Sequence, residues 1–236
     1  MDKSIKKYFK SYLTELEFVT KTQSLVEPLG FTKDNSITAV CICRDEISQT
    51  FSQIVHDRWG LAFDLSGLGG MLIGGKMALT AFIHHAPQSN DKERYVIYAL
   101  PHIAIGSKGE LGLCSRRGIN KSSACGALVT FHKELTNKKI TPLFDYDDVE
   151  MSMLKQKMIC HTPYGEVPDL LFFTKIALKV IQEDLQRALS KLVNLDKADY
   201  AVFTGIQIHG PDGMNYVSPD ICYAIIDKAK KDISLK

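Results

Sequence analysis

The chain has 236 residues, of which 45% are hydrophobic and 24% charged. That length supports a well-buried core, and 29 Lys plus Arg against 27 Asp plus Glu, a formal net charge of +2, excludes the basic excess of a nucleic-acid-binding surface. No apolar run reaches bilayer length, the charged N-terminus does not read as a signal peptide, and six cysteines are too few for a disulfide scaffold. The expectation is a cytoplasmic, reduced protein with no membrane and no nucleic-acid partner. No linker interrupts the chain, so residues 1–236 read as one domain with 1–30 as an N-terminal helical segment.

Taken in order, residues 3–29 place Phe9, Tyr12, Leu13, Leu16, Phe18 and Val19 mostly at helical spacing, and Pro28 with Gly30 ends the pattern. Residues 36–43, SITAVCIC, are a β-branched apolar run that predicts a buried strand. A helix is expected over 46–58 and a short strand over 61–65. The glycine-dense SGLGGMLIGGKM then leads into a helix through Phe82. Residues 94–105 read as a strand bent at Pro101, and 109–115 as another. From Ser122, SSACGALVTFHKEL reads as a helix capped by Ser122 or Ser123. The longest helical pattern is 168–193, opening at Pro168-Asp169. Residues 199–209 read as a late strand, closed by the turn Gly210-Pro211-Asp212-Gly213. Strands interleaved with helices predict an α/β fold around a mostly parallel sheet.

Three soft ligands stand near element ends. Cys43 closes a buried strand, at the carboxyl edge where open α/β sheets place their sites, and Asp45 follows two residues later. Cys41 shares the same face of that strand, but only Cys43 reaches an open cleft. His102 follows the bend at Pro101; by itself it reads as a hydrogen-bonded core histidine. Cys125 lies in the first turn of its expected helix, where unpaired amides favour a thiolate; by itself it reads equally as a ligand and as a small packing residue. Together, Cys43, His102 and Cys125 are expected to supply three protein ligands to a zinc, with the fourth position left to water as in a catalytic site. No short zinc motif is present. A thiol enzyme, with Cys43 or Cys125 as nucleophile and His102 as base, stays open at this point.

Other patterns carry less. Gly70, Gly75 and Lys76 fit G-x-x-x-x-G-K, but Met77 replaces the magnesium-binding Ser or Thr, so the stretch reads as a glycine-lined turn packed near the site. Cys160-His161, His209 and Cys222 are assigned packing and surface roles, and Cys114 a buried one. His56, His84 and His85 are candidate proton shuttles.

The stretches CICRDEI (41–47), WGLAFDLSGLGGMLIGGKMAL (59–79), ERYVIYALPHIAIG (93–106) and SSACGALVTF (122–131) resemble the LCIB/LCIC family of limiting-carbon-dioxide-inducible proteins. The resemblance implies a fold similar to β-class carbonic anhydrases and reversible hydration of carbon dioxide to bicarbonate by zinc-bound hydroxide. It implies zinc on Cys43, His102 and Cys125, with Asp45 as the catalytic aspartate. β-class enzymes carry an arginine two residues beyond that aspartate; Ile47 stands there. Arg58 is taken as the partner of Asp45, with Arg44, Arg116 and Arg117 as alternatives. A homodimer or larger homo-oligomer is also implied. Inactive members of the family leave open a zinc-binding assembly or bicarbonate-sensing protein.

Overall fold

The computed structural model describes residues 3–87, 92–116, 118–141 and 143–235. The N-terminal segment is not one helix. A short α1 (Lys3–Lys6) precedes β1 (Leu13–Thr14) and α2 (Glu15–Val26). The break lies at Thr14, whose hydroxyl accepts from the Glu17 amide at 3.2 Å while the Glu17 carboxylate accepts from the Thr14 amide at 2.8 Å. This capping box starts a helix anew at Glu15.

The chain continues through β2 (Ser36–Ile42), α3 (Gln49–Trp59), β3 (Ala62–Asp64), α4 (Gly75–His84), β4 (Glu93–Leu100) and β5 (His102–Ala104). A hairpin of β6 (Leu113–Arg116) and β7 (Ile119–Ser123) leads to α5 (Gly126–Thr136), then α6 (Val149–Ile159) and α7 (Leu170–Leu192). The chain closes with β8 (Ala198–His209), β9 (Asn215–Ile226) and β10 (Ala229–Asp232). Ser122 and Ser123 belong to β7 rather than to a helix cap; α5 begins at Gly126, with Cys125 as its N-cap residue.

One sheet runs in the order β1-β9-β8-β4-β2-β3, with β10 beside β9 and β5 beside β8. Strands β3, β2, β4, β5 and β8 are parallel. β9 returns antiparallel to β8 and carries β1 and β10. The mostly parallel sheet flanked by helices is therefore present, with an antiparallel extension that the sequence pattern did not disclose.

Every residue of β2 is buried because both faces are covered. Ile37, Ala39 and Cys41 pack with Leu79, Phe82, Phe131 and Phe173, from α4, α5 and α7. Val40 and Ile42 pack with Phe18, Phe51 and Val55, from α2 and α3. This period-two partition explains the continuous apolar run. Burial of each large side chain contributes about 1.5–3 kcal/mol. Among the described residues no helix is long and apolar enough to cross a membrane.

Candidate metal centre

Three parallel strands end on one edge of the sheet. Cys43 follows β2, Pro101 and His102 follow β4, and His209 is the last residue of β8. Ile42 pairs with Leu100, so Cys43 emerges beside the Pro101-His102 bend. Cys125 arrives at the start of α5. The Ala104 amide donates to the Ala124 carbonyl at 3.1 Å, and the Ala124 amide donates to the Gly112 carbonyl at 3.0 Å. These bonds hold the start of α5 against β5.

The Sγ atoms of Cys43 and Cys125 lie 3.8 Å apart, and both cysteines are buried and free. One ligand atom from each of Cys43, His102 and Cys125 falls within 4.8 Å of the others. The hydrogen bond from the Cys43 thiol lowers the Cys125 pKa; burial opposes this, and the Leu128 and Ala127 amides at the helix start add to it. The same bond, followed by burial, pushes Cys43 up. Of the two thiols, Cys125 is therefore the readier to ionise.

His102 has no exposed surface. Its Nδ1 lies 2.8 Å from His209 Nε2 and 3.4 Å from Ser48 Oγ. Its Nε2 is buried without a hydrogen-bond partner, 3.3 Å from Asp45 Oδ2. The other Asp45 oxygen, Oδ1, accepts from the Ser48 amide at 3.0 Å. Burial, then the neighbouring His102, pushes His209 down to about 3, which keeps it neutral at ordinary pH.

These residues fit zinc. Two sulfurs about 2.3 Å from a tetrahedral zinc stand about 3.8 Å apart, the spacing observed. A buried nitrogen left without a partner costs about 1–3 kcal/mol, and a cation among the sulfurs would satisfy it. The second cluster of possible ligands, Asp45, His102 and His209, uses the same histidine. His209 is committed to His102 and to Asn215 through its two nitrogens.

An open cleft of about 650 Å³ leads to the thiols, lined by Asp45, Leu68, Arg116 and Ala127 among others. Arg116 is held by Glu46 at 3.0 Å, by the Ser123 carbonyl at 2.8 Å and by the Ser122 hydroxyl. Arg44 pairs with Glu150, which also accepts from the Leu68 amide at 3.0 Å.

The structure does not bring Arg58 to Asp45. It stands in the last turn of α3, about 13 Å along the helix from its first residue, and its carbonyl accepts from Gln23. Among the described residues no arginine bonds Asp45; the Ser48 amide orients it instead. Arg117 lies outside the described residues. His56 and His84 are exposed on α3 and α4, and His85 just beyond α4 bonds the Ala81 carbonyl; none of the three lines the cleft. Cys160 is exposed, His161 pairs with Glu183, and Cys222 is buried with its thiol toward the Thr204 carbonyl. The roles of His209 and Ser48 escaped the sequence reading: no local spacing links either to His102, and only the parallel pairing of β5 beside the end of β8 unites the two histidines.

Comparisons with known proteins place the chain in a family. The family model for limiting CO2-inducible proteins B/C beta carbonic anhydrases matches residues 12–226. The crystal structure of limiting CO2-inducible protein LCIB is similar over 100% of both chains, at 30% identity and a TM-score of 0.83. PtLCIB4, a homolog of that protein, shares the fold over 98% of both chains, at 20% identity and a TM-score of 0.81. A point mutant of PtLCIB4 aligns over 98% of both chains with a TM-score of 0.77 at 21% identity. No curated protein matches the sequence. With nearly its whole length matched by the family model, and with a sheet, a cleft and a thiol–imidazole cluster built as described, the chain belongs to the limiting CO2-inducible protein B/C family of beta carbonic anhydrases.

Proposed function

We propose that the protein is a zinc-dependent carbonic anhydrase that interconverts carbon dioxide and bicarbonate, with Cys43, His102 and Cys125 as the metal ligands. The observation that carries this reading is the buried, unpartnered Nε2 of His102 beside two thiols 3.8 Å apart. Zinc, when bound, lowers the pKa of a coordinated water from about 15.7 toward about 7.

The chain's own residues then divide the work. Asp45 keeps Oδ1 on the Ser48 amide, which leaves Oδ2 to accept a hydrogen bond from the attacking oxygen and aim it. Ser48 thus takes the orienting part expected of Arg58. Leu68 and Ala127 offer carbon dioxide an apolar wall, suited to a molecule without charge or dipole. The Arg116 guanidinium, fixed by its three partners, draws the product anion toward the mouth of the cleft. The reading takes the chain as one domain working in the cytoplasm as a homodimer or larger, which light scattering at micromolar concentration checks.

The test pairs elemental analysis with a carbon dioxide hydration assay on one preparation. About one zinc per chain with hydration above the buffer rate is expected. Zinc without turnover would leave an inactive zinc-binding homolog, and full activity without zinc would remove the metal from the reaction.

A further inference from the structure

Resting on the metal site proposed above, we infer that His209 and Asn215 are positioning residues: a one-way hydrogen-bond chain from Glu15 fixes the tautomer of His102 that leaves its Nε2 lone pair bare for the metal. The argument begins at the far end, where each proton has one place to go.

Glu15, the first residue of α2, is 4% exposed. Its Oε2 accepts from the Thr50 hydroxyl at 2.7 Å, and its Oε1 accepts from Gln207 Nε2 at 2.6 Å. The Thr50 proton is then committed, so Thr50 Oγ1 can only accept from Asn215 Nδ2, at 2.8 Å. The same amide nitrogen donates to the Ile47 carbonyl at 3.1 Å. A carbonyl never donates, so the Asn215 side chain cannot be flipped. Its Oδ1 therefore faces His209 Nδ1, at 2.8 Å, and that nitrogen must carry the proton.

A neutral imidazole has one N–H. His209 Nε2 is thus an acceptor, and the group opposite it, His102 Nδ1 at 2.8 Å, must be the donor. His102 Nε2 is left with its lone pair beside the two thiols, without a hydrogen bond and 3.3 Å from Asp45 Oδ2, a contact that a cation on the nitrogen would bridge. Ser48 Oγ, at 3.4 Å from Nδ1, is too distant to compete. The chain does not conduct protons, because the Asn215 amide cannot accept at one end and release at the other without changing tautomer. Its work is orientation, as for partners that steer metal-bound histidines. It joins α2, α3, β8 and β9, so the N-terminal segment takes part in setting the ligand.

The experiment uses the full chain and zinc itself as the probe. Zinc affinity is measured against a chromophoric chelator for wild type, His209→Leu, His209→Gln and Asn215→Leu, with circular dichroism as the folding check. Two-bond 1H–15N spectra of histidine-labelled, metal-free protein locate the His102 proton. We expect that proton on Nδ1 in the wild type, and zinc binding weakened about 10–100-fold in His209→Leu and Asn215→Leu. His209→Gln, which can return an acceptor oxygen to the Nε2 position, should recover most of it. A His102 proton on Nε2 overturns the inference, as does a folded His209→Leu with wild-type affinity. If His209→Leu fails to fold, the spectrum of the wild type still decides. If wild type binds no zinc, the metal-site reading falls, and the proton position still tests the chain by itself.

Discussion

Cys43 and Cys125, 82 positions apart in sequence, bring their sulfurs to 3.8 Å through two unrelated devices: the end of a buried parallel strand and the start of a helix. Cys43→Ser, His102→Ala and Cys125→Ser should each lose most of the zinc. Cys114→Ser and Cys222→Ser, whose thiols bond the Ser122 and Thr204 carbonyls, should retain it. Elemental analysis after dialysis against a weak chelator separates the two groups.

Asp45→Ala should keep its zinc and lose hydration activity. The three ligands remain, but the carboxylate that the Ser48 amide directs into the site is gone. Loss of a positioned proton acceptor costs a factor of about 10² to 10⁴. Zinc content and turnover measured on the same sample check this. Wild-type turnover with full zinc would take Asp45 out of the mechanism.

Glu15 gives a pH dependence of stability with a defined sign. Burial is the largest influence on its pKa and raises it above 4.5, against the hydrogen bonds from Gln207, Thr50 and Asn215. A carboxyl with a raised folded pKa binds more protons folded than unfolded. Stability therefore falls as pH rises from the unfolded value through the folded one. Glu15→Gln lacks that titration, so the stability of wild type relative to the variant should be lower at neutral pH than at about pH 4. Urea midpoints at both pH values measure it, and a constant difference would contradict it.

Tyr98 anchors the opposite core. Its hydroxyl accepts from Trp59 Nε1 at 3.0 Å and meets Thr22 Oγ1 at 2.7 Å, while its ring stacks on Phe203 at 5.1 Å. Tyr98→Phe preserves the stack and strands the indole N–H in the interior. A destabilisation of about 1–3 kcal/mol is expected, read from chemical denaturation, with zinc affinity unchanged because the site lies beyond the sheet edge.

Gly70 has φ 76°, and a Cβ there would meet the Leu100 carbonyl oxygen at 2.8 Å and Pro101 Cα at 3.1 Å. Both neighbours are backbone, immediately before His102. Gly70→Ala should therefore cost more than the roughly 1–2 kcal/mol of the left-handed conformation alone and weaken zinc binding as well. Denaturation and chelator competition together test the link. A variant as tight and as stable as wild type would show that the glycine stretch has no part in placing the ligand.

Much of this was legible in the residues. SITAVCIC is apolar at nearly every position because both faces of β2 are covered, and the pattern of α7 is long enough to stand out. The alternation of such segments predicts a mostly parallel sheet, and Cys43 and His102 follow strands in the text as they do in space. The family resemblance rests on the same local stretches. Periodicity reports which face of an element is buried; it carries no information about which element ends meet. Three features therefore belong to the tertiary structure alone. β9 was hidden because Pro219 and Asp220 interrupt its apolar pattern, and the register shift against Phe203 and Gly205 accommodates them. Arg58 shares a helix with residues near Asp45, yet the helix carries it away to the far end. His209, a lone histidine in the sequence, becomes the partner of His102 because β5 and β8 run parallel and end together. The residues alone supplied two cysteines and a histidine of ligand type; the meeting of strand ends with the start of a helix decided that the three come together.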